Sequence, residues 1–244
     1  MNNVEKINFI SQWIKGYCKK SNINSLIIGI SGGIDSAVTS ALSAKTGLKT
    51  FVVSMPILNH QVLNQRGINH IKWLKDKFSN IESLEVNLAD VFSSFQLALS
   101  KNDSEHGYAN SQARLRMATL YQIAASNNGI VVGTGNKVED FGIGFYTKYG
   151  DGGVDISPIA DCLKTEVWGM AKELGINQEI IDAPPTDGLW NDGRTDEDQV
   201  GLSYEEIEEA MQNENSSNRD KYLEIRSKSL HKMEPIPVCI IPKK

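Results

Sequence analysis

The stretch that most limits what this chain can fold into is Ser25-Leu-Ile-Ile-Gly-Ile30, which carries no charge and is apolar at nearly every position. A strand with apolar side chains on both faces must be covered on both faces, and a parallel sheet flanked by helices provides that cover. Ser31-Gly-Gly33 interrupts the run, and residues 35–46 read as a helix ended by Gly47. The alternation then recurs. Residues 50–55 read as a strand stopped by Pro56, 59–78 as a helix, 83–88 as a strand and 90–99 as a helix. Residues 110–127 read as a long helix and Gly129-Ile-Val-Val-Gly133 as a fourth strand. An amphipathic helix over 4–20, with Ile7, Ile10, Ile14 and Tyr17 at helical spacing, precedes them. The pattern predicts an α/β fold, a doubly wound and mostly parallel sheet with helices on both faces.

In such sheets ligands bind at the carboxyl ends of the strands. Ser31 to Ser36 and Thr134 to Glu139 directly follow the first and fourth strands, so they fall on one edge. Beyond them, 136–157 is glycine-rich with little periodicity, and 163–174 returns to helix before Gly175. Residues 182–201 are rich in Pro, Gly and Asp and read as a long loop, which in a compact domain is usually functional or disordered. Ser203-Tyr-Glu-Glu206 is a capping box opening a helix to Gln212, and a last helix is expected over 217–230 before an irregular tail. With 244 residues, 40% of them hydrophobic, a single domain over 1–244 suffices for one core.

Charge excludes one class of partner. Lys and Arg total 25 against 30 Asp and Glu, a formal net charge of −5, so a general nucleic-acid binder with a basic face is not expected. A phosphate-bearing substrate must instead meet locally placed cations. Cys18, Cys162 and Cys239 show no CxxC spacing, as expected of reduced thiols rather than of a disulfide framework or zinc site. The N-terminal residues lack the basic-then-apolar run of a signal peptide, and no apolar run approaches a membrane span. A cytoplasmic protein without a membrane partner is the expectation.

Gly29-Ile-Ser-Gly-Gly-Ile-Asp-Ser36 carries the first chemistry. Gly32 and Gly33 have no Cβ, so backbone N–H groups can approach phosphate oxygens, and the following helix aims its positive end at the same place. Ser31 and Ser36 add hydroxyls, and Asp35 suits a Mg²⁺ ion that bridges phosphates. The loop is neither a Walker A sequence nor a GxGxxG fingerprint. The plainer alternative is a strand-to-helix turn capped by Asp35 and Ser36. The six residues from Ser31 to Ser36 resemble the SGGxDS loop of the ATP pyrophosphatase superfamily, whose adenine nucleotide alpha hydrolase-like fold that resemblance implies.

A more selective signal is Val131-Val-Gly-Thr-Gly-Asn-Lys-Val-Glu-Asp140 followed by Gly144-Phe-Tyr-Thr-Lys-Tyr-Gly-Asp-Gly-Gly-Val-Asp155. It resembles the signature of ammonia-dependent NAD synthetases. Asn110-Ser-Gln-Ala-Arg-Leu-Arg116, Leu163-Lys-Thr-Glu166, Pro185-Thr-Asp187 and His231-Lys232 follow in that family's order. The resemblance implies that ATP is a cosubstrate held by Gly29, Ile30, Ser31, Gly32, Gly33, Ile34, Asp35 and Ser36, with Thr134, Lys164 and Thr186 on its phosphates. Asp35 and Glu139 would bind Mg²⁺. Arg114, Lys148, Asp155, His231 and Lys232 would hold deamido-NAD, and Asp151 would position ammonia or accept its proton. Asp35, Asp151 and Lys164 form the implied catalytic set, and a homodimer completes the dinucleotide site. Taken alone, Lys148 would be a solvated lysine, His231 a surface histidine and Thr186 a turn cap. Trp190 is the aromatic in the long loop with the best claim to cover a ligand.

The chemistry implied is amidation of the deamido-NAD carboxyl with ammonia. ATP adenylates the carboxylate, because oxide is a hopeless leaving group and AMP is not, and pyrophosphate departs. Arg114, Lys148, Lys164 and Lys232 would meet the substrates' charge, each charge-assisted hydrogen bond being worth roughly 1.5–3 kcal/mol. Water competes for such an intermediate, so 101–107 and 182–201 are candidate lids. Gly135-Asn136 departs from the Asp-His that often stands there in the family, and the motif beyond Glu139 is shifted by one residue. No glutaminase domain fits in 244 residues, so free ammonia is the expected nitrogen donor, unless a separate subunit supplies it.

Overall fold

In a computed structural model, residues 1–58, 61–186, 188–189 and 194–242 are described. Asp187 and Trp190 lie outside them, as do parts of the expected 59–78 helix and of the 182–201 loop.

The buried run is strand β1 (Ser25–Gly29). It pairs in parallel with β2 (Lys49–Ser54) on one side and β4 (Gly129–Val131) on the other, and β2 pairs in parallel with β3 (Ile81–Glu85). The order is β3-β2-β1-β4. The period-two alternation of a strand divides the core. Leu26, Ile28 and Val52 pack in one cluster, and Ile27, Phe51 and Val53 in another.

The first cluster is closed by α1 (Asn3–Lys20), α2 (Ile34–Ala44), α6 (Lys164–Leu174) and α7 (Gln178–Ile181), with Leu74 of α3 (Gln61–Lys77). The second is closed by α4 (Ala89–Ala98) and α5 (Glu105–Ser126). Helices therefore cover both faces, as the sequence pattern predicts. A third cluster joins Val138 and Ile143 to α9 (Tyr204–Gln212) and α10 (Arg219–Ser227).

Capping explains the helix starts. The Asn2 side chain accepts from Glu5 N, and Glu5 returns the bond to Asn2 N. Ser203 and Glu206 make the same box at α9. Ser104 caps α5 through Gly107 N, so this helix starts at Glu105 and absorbs the end of the 101–107 loop. The expected 217–230 helix divides into α10 and α11 (Leu230–Met233), and α8 (Asp196–Val200) lies inside the expected 182–201 loop. β3 lies earlier than the 83–88 expected.

The largest difference falls in 136–157, where a seven-residue π-helix spans Lys137–Ile143. Asn136 caps it by accepting from Val138 N and Glu139 N, and Gly144 closes it in the left-handed region at φ 66°. A π-turn accommodates one residue more than an α-turn, and such turns collect at functional sites. It therefore offers a structural home for the one-residue shift after Glu139. Among the described residues no helix is long and apolar enough to cross a membrane.

Candidate active site

The carboxyl ends of β1, β2 and β4 open into a cavity of about 1150 Å³. The turn after β1 is held by its own hydroxyls: Gly33 N donates to Ser31 Oγ at 3.2 Å and Ser36 Oγ donates to Gly33 O at 2.9 Å. Gly32 has φ +86°, and a Cβ there would lie 2.4 Å from the Leu63 carbonyl oxygen of α3. Gly32 is thus a packing requirement, and it does not line the cavity, whereas Gly29, Ile30, Ser31, Gly33, Ile34, Asp35 and Ser36 do. The N-cap of α2 is Gly33, with no side-chain cap. The alternative in which Asp35 and Ser36 cap the helix is not what the chain does. The first N–H groups of α2 remain available to an anion at the dipole's positive end.

Lys164, on the first turn of α6, is the most deeply buried cation at 1% exposure. Its Nζ donates to Asp35 Oδ2 at 2.6 Å and to Glu139 Oε1 at 2.9 Å. Asn136 Nδ2 donates to Asp35 Oδ1 at 3.0 Å, and Tyr204 Oη donates to Glu139 Oε1 at 2.6 Å, with Asp196 Oδ2 as the alternative acceptor for that one proton at 3.0 Å. Burial raises the Asp35 carboxyl above its usual range, against the pull of Lys164. Burial acts on Glu139 as well, but Lys164 and Tyr204 outweigh it and hold Glu139 below the usual range. Lys164 is held charged, because the two carboxylates overcome its desolvation.

Two further acids face the same space. Burial and then the charges of Glu139, Asp151 and Asp35 push Asp140 up to about 8. Its carboxyl fills the place a Cβ at Gly135 would take, with Oδ2 2.1 Å from that position. Glycine at 135 makes that room. Asp151 is pushed up to about 6, mainly by burial, although its Oδ1 accepts from Thr147 N at 3.0 Å. Its side chain is exposed where it lines the cavity.

Thr134 and Thr186 line the cavity, and Thr186 Oγ1 donates to Arg194 O at 2.9 Å. Arg114, Lys148, His231 and Lys232 also line it. They are joined there by bonds to backbone: Arg114 Nε to Lys148 O at 3.2 Å, Lys148 Nζ to His231 O at 3.3 Å and Lys232 Nζ to Tyr146 O at 2.8 Å. Asp155 is not brought to the cavity; its carboxylate accepts from Tyr121 Oη at 3.1 Å and from Val131 N at 2.8 Å. Tyr121 is correspondingly pushed up to about 12, by burial and by Asp155. Cys162 is pushed up to about 11, chiefly by burial, and is an inert thiol.

Sequence reasoning missed Tyr204, Asn136, Asp140 and Arg116. Tyr204 stands beside a helix cap, and only the tertiary contact of α9 with the π-helix brings its hydroxyl to Glu139. Arg116 lies in the quoted Asn110–Arg116 motif; its Nε donates to Met55 O at 3.2 Å, and desolvation lowers it to about 10.

Asp35 and Glu139 converge on one cation at 2.6 and 2.9 Å, so the pair presents hard oxygen donors to a single point. Among the described residues no three His, Cys, Asp or Glu side chains gather to hold a metal. Two carboxylates with phosphate oxygens and water completing the shell is the usual setting of Mg²⁺, and the residues present fit that ion.

A parallel sheet whose first turn offers free helix N–H groups, beside a lysine-bridged carboxylate pair, defines a nucleotide-binding α/β enzyme. The family model for NAD synthase matches residues 6–237, and the chain belongs to that family of ligases. The NH(3)-dependent NAD(+) synthetase of Mesoplasma florum is 36% identical over 94% of this chain and 91% of its own length. Among solved structures, an NMN synthetase from Francisella tularensis superposes with a TM-score of 0.90 at 31% identity, covering 100% of both chains. An NH3-dependent NAD synthetase from Campylobacter jejuni superposes at 0.79 with 23% identity over 98% of this chain, a likeness of fold.

Proposed function

We propose that the chain amidates deamido-NAD to NAD with ammonia, cleaving ATP to AMP and pyrophosphate through an acyl-adenylate. The observation that carries the proposal is the Asp35–Lys164–Glu139 cluster beside an uncapped α2 N-terminus. The nicotinate carboxylate oxygen attacks the α-phosphorus of ATP, the bond to pyrophosphate breaks, and ammonia then displaces AMP from the acyl carbon. Ser31, Gly33 and the first α2 N–H groups bind phosphate oxygens, with Thr134 and Thr186 on the same chain of phosphates. Asp35 and Glu139 would hold Mg²⁺, which would supply neutralisation of phosphate charge there. Lys164 compensates both carboxylates, and its ammonium would be free to meet phosphate oxygens were a metal to take its place between them. Asp151, ionised above about pH 6, accepts a proton from the attacking nitrogen.

Arg114, Lys148, His231 and Lys232 receive the nicotinate nucleotide, and a homodimer completes that site; Asp155, bound to Tyr121 and Val131 N, is not part of the cavity in this reading. The chain acts as one domain over 1–244, in the cytoplasm. A second reading has one observation in its favour, the full-length likeness to the Francisella tularensis NMN synthetase. In that reading the substrate is the mononucleotide with the same nicotinate carboxylate.

One experiment tests both. The purified protein is given Mg-ATP and ammonium chloride with either deamido-NAD or nicotinate mononucleotide, and amide, AMP and pyrophosphate are quantified. Equal yields of the three from deamido-NAD support the first reading, and a strong preference for the mononucleotide replaces it with the second. No ATP cleavage with either sinks both.

A further inference from the structure

The cavity wall contains several Lys and Arg side chains, and among the described residues all but one have a protein acceptor. Lys164 holds two carboxylates and Lys228 pairs with Glu224. Lys148, Lys232, Arg114 and Arg116 donate to backbone carbonyls. Arg66 differs. It lines the cavity from α3, its Nε is buried without a hydrogen-bond partner, and its guanidinium has no ion pair with any described residue. An unmet buried donor costs free energy, and one on a residue that lines a cavity can be met by a ligand that enters it.

Position says which ligand. The α3 turn that carries Arg66 packs on the phosphate loop: a Cβ at Gly32 would lie 2.4 Å from Leu63 O and 3.2 Å from Gly67 N. On its other side, a Cβ at Gly188 would lie 3.1 Å from Leu63 Cδ1, which brings the segment after Thr186 to the same turn. Arg66 therefore belongs to the junction of the phosphate loop and the Thr186 segment. Glu139, Asp140 and Asp151 come from the chain after β4, beyond β1. A planar guanidinium with paired donors matches phosphate oxygens two at a time.

We infer that Arg66 is a binding residue for the pyrophosphate half of ATP and for the pyrophosphate released from it. The inference rests on the ATP-cleaving reading above, and equilibrium binding tests it apart from turnover.

The experiment measures calorimetric affinities of wild type, Arg66→Ala and Arg66→Lys for Mg-pyrophosphate, Mg-ATP and AMP, with KM values for ATP and deamido-NAD. Arg66→Ala is expected to weaken Mg-pyrophosphate and Mg-ATP by about 10- to 100-fold, the size of a charged hydrogen bond. AMP affinity and the KM for deamido-NAD should stay within about twofold, and Arg66→Lys should recover part of the loss. Unchanged ATP and pyrophosphate affinity in the folded alanine variant overturns the inference. So does an equal loss for AMP, which would place Arg66 on the adenosine side, or a wild type that binds no pyrophosphate. Should the alanine variant fail to fold, an Arg66→Lys variant with wild-type affinity for both ligands and a wild-type pyrophosphate off-rate also overturns it. Wild-type protein that binds both ligands yet makes no amide refutes the amidation reading and leaves the assignment of Arg66 standing.

Discussion

Replacing Lys164 by Met removes the one ammonium that two carboxylates share while preserving most of the side chain's volume. Lys164 is 1% exposed, with Asp35 and Glu139 at 2.6 and 2.9 Å. Breaking a buried pair by deleting one partner costs about 3–5 kcal/mol, and here two anions lose the same cation, so the upper part of that range applies. Urea unfolding at pH 7.5 without Mg²⁺ reads the loss directly. Its pH dependence has a definite sign. In the wild type, Glu139 lies below its usual pKa, so its contribution is present above that value and fades as pH falls through the folded one. In the variant both carboxylates are raised, so the penalty is full at pH 7.5 and shrinks toward pH 5 as they take up protons. Mg²⁺ at a hundred times its dissociation constant should return about 2.7 kcal/mol to the variant. A loss under about 1 kcal/mol at pH 7.5, or a gap that stays constant to pH 5, would refute the shared-cation argument.

Three other substitutions follow from the same geometry. Gly32→Ala combines a left-handed φ of +86° with a Cβ 2.4 Å from a backbone oxygen, and should cost about 2–4 kcal/mol in thermal or urea unfolding and weaken ATP binding. Tyr204→Phe removes the donor to Glu139 and Asp196, so a loss of about 1.5–3 kcal/mol is expected, with a lower kcat at saturating ATP; unchanged stability would show that the hydroxyl is dispensable. Asp140→Asn addresses a carboxyl pushed up to about 8, whose folded pKa exceeds its ordinary value. The stability it allows is full below about pH 4 and is lost as pH rises to 8, so the Asn variant should gain on the wild type across that window. A margin of several degrees in Tm at pH 8 that closes near pH 4 is the expected scan, each kcal/mol being worth roughly 2–4 °C at this chain length.

Local signals were legible where the chain's own chemistry decides the outcome. The β1 run, the glycines after it and the Ser203 capping box each act within a few residues, and the sheet and helices fall where those signals stand. The start of α5 was misjudged because Ser104, an ordinary polar residue in a polar stretch, turns out to be its cap. The π-helix was illegible because its period matches neither template, and its stability comes from Asn136 at one end and from carbonyls bound by Arg226 at the other. Within the site, the phosphate loop itself points to Asp35, and the family resemblance brings Glu139 and Lys164 forward. Arg66 stands in no motif, Tyr204 stands only in a helix-capping one, and Asp140 carries no implied role inside its own. Each acquires a role only through contacts between elements far apart in sequence.

The charges of the cavity explain why these late-assembled residues matter. Five acidic side chains, Asp35, Glu139, Asp140, Asp151 and Asp196, share one space that must also admit a polyanion. The protein separates the two problems. One proton stays on Asp140 at neutral pH, and Lys164 compensates Asp35 and Glu139, so the acidic wall carries less charge than its composition suggests. Against that charge stand the first N–H groups of α2, which has no side-chain cap, and Arg66, whose guanidinium has no partner among the described residues. A phosphate chain in this space meets donors that no described protein acceptor has claimed, while a cation between Asp35 and Glu139 must first displace Lys164. Metal and phosphate binding should therefore be cooperative, because the displaced ammonium gains its new partner from the phosphates that arrive with the metal.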